Sequence, residues 1–120
     1  MTTSEIATVL AWHDALNASD LTTLVTLSSE DIDFVDVHGA GQGHEALREW
    51  ATATRATAEV GRIYEHDGVV VVEQTISGPD SGTAASAFRV VHDHVTSVFR
   101  HDDLASALAA TELTEADLVD

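Results

Sequence analysis

The sequence predicts an α+β domain: three N-terminal helices wrapped by a curved, mostly antiparallel sheet, with a cone-shaped cavity between the layers. Three observations predict it. Apolar residues recur at three- and four-residue spacing in three segments before residue 57. Beyond that point the period changes to two. Turn signals then punctuate the chain, with Asp67-Gly68 the clearest hairpin dipeptide. A strongly curved sheet covered by helices leaves a concave space, the usual place for a small ligand.

Residues 4–18 read as the first helix, with Ile6, Val9, Leu10, His13, Leu16 and Asn17 on one arc. Ser19 and Asp20 break it and can cap a second, short helix carrying Leu21, Leu24, Val25 and Leu27. Ile32, Phe34 and Asp36 alternate with Asp33, Val35 and Val37, which is strand spacing. Gly39, Gly41 and Gly43 read as a loop, and His38 and His44 flank it. A third helix is expected over 44–56, with Leu47, Trp50, Ala51 and Thr54 on one face. Strands follow at 60–66 and 69–77 around the Asp67-Gly68 turn. The second of these is nearly all apolar at its start, as a strand buried on both faces should be. The single Pro, Pro79, lies in a turn cluster over 77–82. Residues 83–91 and 95–101 form another hairpin, turning at His92-Asp93-His94. The alanine-rich segment 103–110 predicts a final helix, and Thr114 to Asp117 can cap a last turn.

The chain has 120 residues, enough for one domain spanning 1–120. A fold of this size buries roughly two-thirds of the surface that the unfolded chain exposes. Cysteine is absent, so neither a disulfide framework nor a thiolate zinc site can form. Asp and Glu number 21 against five Arg and no Lys, and the formal charge is −16. Such a chain repels phosphate backbones and anionic membrane surfaces, so neither nucleic acid nor membrane is an expected partner. Hydrophobic residues make up 44%, too many for a disordered acidic tail. The acids are spread along the chain, as on a solubilising surface or on one adapted to high salt. No apolar run approaches the roughly 20 residues of a membrane-spanning helix, and the start lacks a basic-then-apolar signal pattern. A cytoplasmic location is expected.

Ala15-Leu16-Asn17-Ala18-Ser19-Asp20-Leu21 resembles the first helix-to-helix junction of SnoaL-like domains, in the nuclear-transport-factor-two-like superfamily. His44 to Trp50, ending Leu47-Arg48-Glu49-Trp50, is similar to that family's third helix. The Phe88-Arg89-Val90 strand and the strand from Val95 to Arg100 also fit. The resemblance covers nearly the whole chain and implies a cone-shaped α+β barrel. It leaves the activity open, because this fold hosts isomerases, dehydratases, cyclases, epoxide hydrolases and non-enzymes. Against ketosteroid isomerase, the match from Val9 to Asp36 needs no gap. It implies that Asp36 stands at the position of the catalytic base. Trp12 stands where that enzyme has an oxyanion-hole tyrosine, and Ser86 where it has an oxyanion-hole aspartic acid. Both are departures.

Asp36 is therefore the leading candidate for a general base. Ile32 and Phe34 on the same strand face are apolar walls that would raise its pKa; the alternative is an ordinary turn aspartate before a glycine loop. Trp12 offers an indole donor to a ligand oxygen, or serves as a core aromatic. His13, near the centre of the helical arc, is a hydrogen-bonded core residue or a pocket acid or base. Arg100 shares a strand face with Asp102, Thr96 and Val98. If that face lines the cone, Arg100 holds an anionic ligand group or pairs with Asp36; with the opposite parity, Phe99 and His101 line it. Phe34 and Phe88 would enclose the ligand beside Trp12, with Ser86 among them. Glu73, in an apolar run, needs the cavity or an arginine, and Arg89 is a candidate partner. The seven His form no metal pattern: His92-x-His94 is a turn, and no helical pair with a third ligand is in view. The glycine loop lacks phosphate-loop spacing and its Lys. No cofactor or metal is expected, and the expected partners are a small molecule and a second copy of the chain. That homodimer would form through the outer sheet face, at Ala87, Val91, Val95 and Phe99.

Overall fold

The computed structural model describes residues 2–36, 39–53, 57–77 and 82–119, with side chains for all of these except residues 2–4 and Asp36. Val37, His38, the end of the third predicted helix at 54–56 and the tip of the Pro79 turn lie outside the described residues.

Helix α1 spans Thr2–Asn17. It buries Thr8, Val9, Trp12, His13 and Ala15, one stripe at helical spacing. Ser19 ends it in the left-handed region, at φ 58°. Asp20 N donates to Ala15 O and Ser19 N to Leu16 O, which satisfies the last carbonyls. Asp20 then caps α2 (Leu21–Thr26) as expected, accepting from Thr23 N at 3.2 Å. Helix α3 covers Gly43–Ala53 and buries Leu47 and Ala51.

Six strands make one sheet, in the order β2-β1-β6-β5-β4-β3. They are β1 (Ser28–Asp36), β2 (Gly39–Gln42), β3 (Thr57–His66), β4 (Val69–Ser77), β5 (Gly82–Val91) and β6 (His94–His101). Every pairing is antiparallel except β1 with β6, where Phe34 lies opposite Val98. The glycine segment expected as a loop is therefore an edge strand, with Gly41 paired to Phe34. Its glycine has a packing reason: a Cβ at Gly41 would run into the Phe34 ring. Asp67 and Gly68 turn the β3–β4 hairpin with φ 50° and 82°. His92 and Asp93 turn β5 into β6 with φ 51° and 62°, a region that these two residue types tolerate.

The sheet has an inner face covered by helices and an outer face covered in part. On the inner face Val70, Val72, Phe88, Val95 and Val98 pack with α1 and α3 through Val9, Trp12 and Leu47. On the outer face helix α4 (Leu104–Thr111), capped by Asp103 through Ser106 N, lies over Val71, Ala85 and Ala87. Beyond α4 the chain returns to the edge at β3, where Val119 N donates to Ile63 O at 2.8 Å and Leu118 bridges Tyr64. Unpaired strand edges invite aggregation, and this tail covers part of one.

Two expectations for the outer face need correction. Ala87 is buried beneath α4, and Val95 is fully buried in the inner core. Val90 pairs with Val95 but Arg89 pairs with Ser97, so Thr96 is an extra residue in β6. That bulge inverts the alternation within the strand. Phe99 and Val91 do remain outside, at 42% and 45% exposure. Glu73 is also paired differently. It takes Arg62, not Arg89, in a two-pronged ion pair with N···O distances of 3.0 and 2.9 Å. This holds the Glu73 carboxyl below its usual range, mainly through the Arg62 hydrogen bond.

Candidate active-site pocket

Parity on β6 decides what faces the cone. Downstream of the bulge, Val98 and Arg100 point inward with Ser86 and Phe88 of β5, while Phe99 lies outside. Arg100 lies directly opposite Ser86 across the antiparallel pair, which brings the two side chains together on one face. They line a pocket with Trp12 and Leu16 of α1, Phe34 and Val35 of β1, Trp50 of α3, Gln74 of β4, and Phe88 and Val98. Its empty space, open mouth included, is about 310 Å³.

Four aromatic rings build the walls. Trp12 stacks on Trp50 with ring centres 6.3 Å apart, and Phe88 meets Trp12 edge-on at 5.4 Å. Phe34 leans on Trp50 at 5.3 Å. Such contacts fix ring positions beyond what simple burial does. Trp12 is 1% exposed, and its indole N–H donates to Ser28 Oγ at 2.9 Å. Ser28 Oγ in turn donates to Leu24 O at 2.7 Å. The expected Trp12 donor is thus committed to the protein, and the residue contributes a ring face and not a hydrogen bond to the pocket.

The polar side is a chain of side chains. Ser86 Oγ donates to Gln74 Oε1 at 2.8 Å, and the Gln74 amide nitrogen lies 3.0 Å from His13 Nε2. His13 is 2% exposed. Burial holds its pKa below the ordinary value, the Arg100 charge acts in the same direction, and Asp14 opposes them. His13 is accordingly neutral at pH 7. Arg100 is half-buried and makes no hydrogen bond or ion pair with another described residue.

The structure therefore brings together Trp12, Phe34, Ser86, Phe88 and Arg100, with His13 one hydrogen bond behind the wall. Asp102 does not join them: it is exposed in a bend past the end of β6. Asp36 closes β1 with its backbone opposite Gly39, and its side chain lies outside the described residues. Gln74 and Trp50 were not among the expected site residues. Gln74 could have been found, because it is a polar residue two positions after Val72 in an apolar strand. Trp50 sat on a predicted helix face with no signal to distinguish pocket from core. Among the described residues no three His, Asp or Glu side chains are grouped to hold a metal.

The chain from residue 9 to residue 105 matches the family model of the SnoaL-like domain. It belongs to that family. The fold matches solved structures at low identity. A nuclear transport factor 2-like protein of unknown function from Cytophaga hutchinsonii has a TM-score of 0.76 at 18% identity, over 82% of this chain and 89% of that one. A proposed ketosteroid isomerase from Kribbella flavida gives 0.75 at 16%, over 82% and 77%. An LEH-like epoxide hydrolase from M. tuberculosis gives 0.71 at 20%, over 92% and 96%. A comparison with curated proteins finds no match. Family membership accounts for the layered cone of this SnoaL-like domain and leaves its chemistry to the pocket side chains.

Proposed function

We propose that this SnoaL-like domain binds a small, largely apolar molecule in the cone and acts on it by cofactor-free acid–base chemistry, with Asp36 as the base. The reaction class is isomerisation, dehydration, cyclisation or epoxide opening. The observation that carries the reading is the convergence of four aromatic rings and one cationic side chain on a single pocket. Apolar walls with few polar groups are how small-ligand sites are built. The aromatic rings offer a ligand body flat apolar surface to lie along. Asp36 enters through its position two residues after Phe34 on β1 and its match to a catalytic base. A base there works best if apolar neighbours raise its pKa toward neutrality.

A second reading, a binding or dimerisation module without catalysis, is favoured by one observation. The Trp12 N–H is spent on Ser28, so the first helix supplies no acid from that position. A thermal-shift screen of small apolar carbonyl compounds and epoxides, run on the wild type and on Asp36→Asn, tests both. Catalysis requires turnover of a hit by the wild type and its loss in Asp36→Asn with binding kept. Binding in both proteins with turnover in neither would leave the second reading standing.

A further inference from the structure

The His13 hydrogen bonds contain a conflict whose resolution changes what the pocket offers. Two amide nitrogens face the two ring nitrogens: Gln74 Nε2 at 3.0 Å from Nε2, and Asn17 Nδ2 at 3.4 Å from Nδ1. A neutral imidazole has one N–H and one lone pair, so it can accept from only one of them. Asn17 cannot turn. Its oxygen accepts from Ala58 N at 3.1 Å and its nitrogen donates to Ala58 O at 2.9 Å, and backbone groups have fixed roles. Gln74 can turn, because its other partner is the Ser86 hydroxyl, which donates or accepts equally well. With Gln74 rotated by half a turn, His13 Nδ1 accepts from Asn17, His13 Nε2–H donates to the Gln74 oxygen, and the Gln74 amide donates to Ser86 Oγ. Every buried partner is then satisfied, as buried polar groups require. The Ser86 hydroxyl proton is left over, and it faces the pocket beside Arg100, its cross-strand neighbour.

We infer that Ser86 and Arg100 form a two-donor seat for a ligand carboxylate, and that His13 and Gln74 are positioning residues that free the Ser86 proton for it. This rests on the pocket being a ligand site, as proposed above. The guanidinium fork matches a planar carboxylate, and charge-assisted bonds of this kind are the strong ones. Four aromatic rings line the same pocket. The ligand class is therefore an unsaturated or aromatic monocarboxylate, with its ring on Trp12, Trp50 and Phe34.

The relay is tested without any ligand. Long-range proton–nitrogen NMR on the histidine-labelled full chain reads the His13 tautomer, with His13→Asn identifying its signal. The expected result is Nε2–H with a bare Nδ1; an Nδ1–H tautomer overturns the relay. The seat is tested by titrating trans-cinnamate and, as a neutral probe of the same body, cinnamyl alcohol, each followed by backbone amide shifts. Cinnamate should bind about tenfold tighter. Ser86→Ala should erase most of that preference, weakening cinnamate clearly more than cinnamyl alcohol, whose neutral hydroxyl gains less from the same donors. Arg100 is half-buried, so Arg100→Gln, with the same expected loss, serves if Ser86→Ala does not fold. Equal binding of both probes, or a preference untouched by either variant, overturns the seat while the pocket reading stands. No binding of either probe at the pocket ends both.

Discussion

Replacing Ser28 by Ala leaves the most deeply placed pocket ring without its hydrogen-bond partner. Trp12 is 1% exposed and Ser28 3%, so no water reaches the indole N–H once the hydroxyl is gone. Before the change, Ser28 Oγ accepts from Trp12 Nε1 at 2.9 Å. Afterwards the N–H is buried and unsatisfied, which costs about 1–3 kcal/mol. Leu24 O also loses the Ser28 hydroxyl, which can only add to that cost. For a domain of this length, each kcal/mol lowers the melting temperature by roughly 3–6 °C. A loss of about 2 kcal/mol thus predicts a fall of roughly 6–12 °C by calorimetry. The partner variant Trp12→Phe removes the donor, and Ser28→Ala made in that background should cost clearly less than in the wild type. A double-mutant cycle isolates the difference. If Ser28→Ala alone shifts stability by less than about 0.5 kcal/mol, or if its cost is the same in both backgrounds, the hydrogen bond does not hold Trp12 and the reasoning fails.

Burial holds the His13 pKa below 6.5, so on acidification the unfolded chain takes up a proton before the folded chain does. Stability therefore rises with pH through the window below 6.5 and is lost as pH falls; His13→Gln should flatten that dependence between pH values of about 7.5 and 5.5, and identical slopes would show that His13 is not the group. A net charge of −16 without Lys should make the unfolding midpoint rise with sodium chloride up to about 1 M, through screening of self-repulsion. A flat or falling midpoint would mark the acids as ordinary surface. We also propose a homodimer through the outer sheet face, centred on Phe99 and Val91, the two expected positions that remain exposed. Light scattering should give twice the 12.7 kDa chain mass, and a monomeric mass at micromolar concentration removes the idea.

The sequence by itself determined the order and type of nearly every element. Local signals sufficed: Asp20 and Asp103 at helix starts, Asp67-Gly68 at a hairpin, and periodicity within each segment act over a few residues. The resemblance carried the cone and, through it, Ser86 and Trp12 to the pocket. What only the tertiary structure decided were relations between distant segments. The parity of β6 hinged on the extra residue at Thr96, and no local pattern announces a bulge. Helix α4 turned part of the expected outer surface into a second core, burying Ala87. The glycine loop became β2 because β1 offered it an edge. Glu73 chose Arg62 over Arg89 because side chains on neighbouring strands meet by register, not by sequence distance. His13 and Trp12 show the same limit most clearly. Their helical spacing placed both on the buried face, yet Gln74, Ser86 and Ser28, from three different strands, decided which polar atoms each had left to offer.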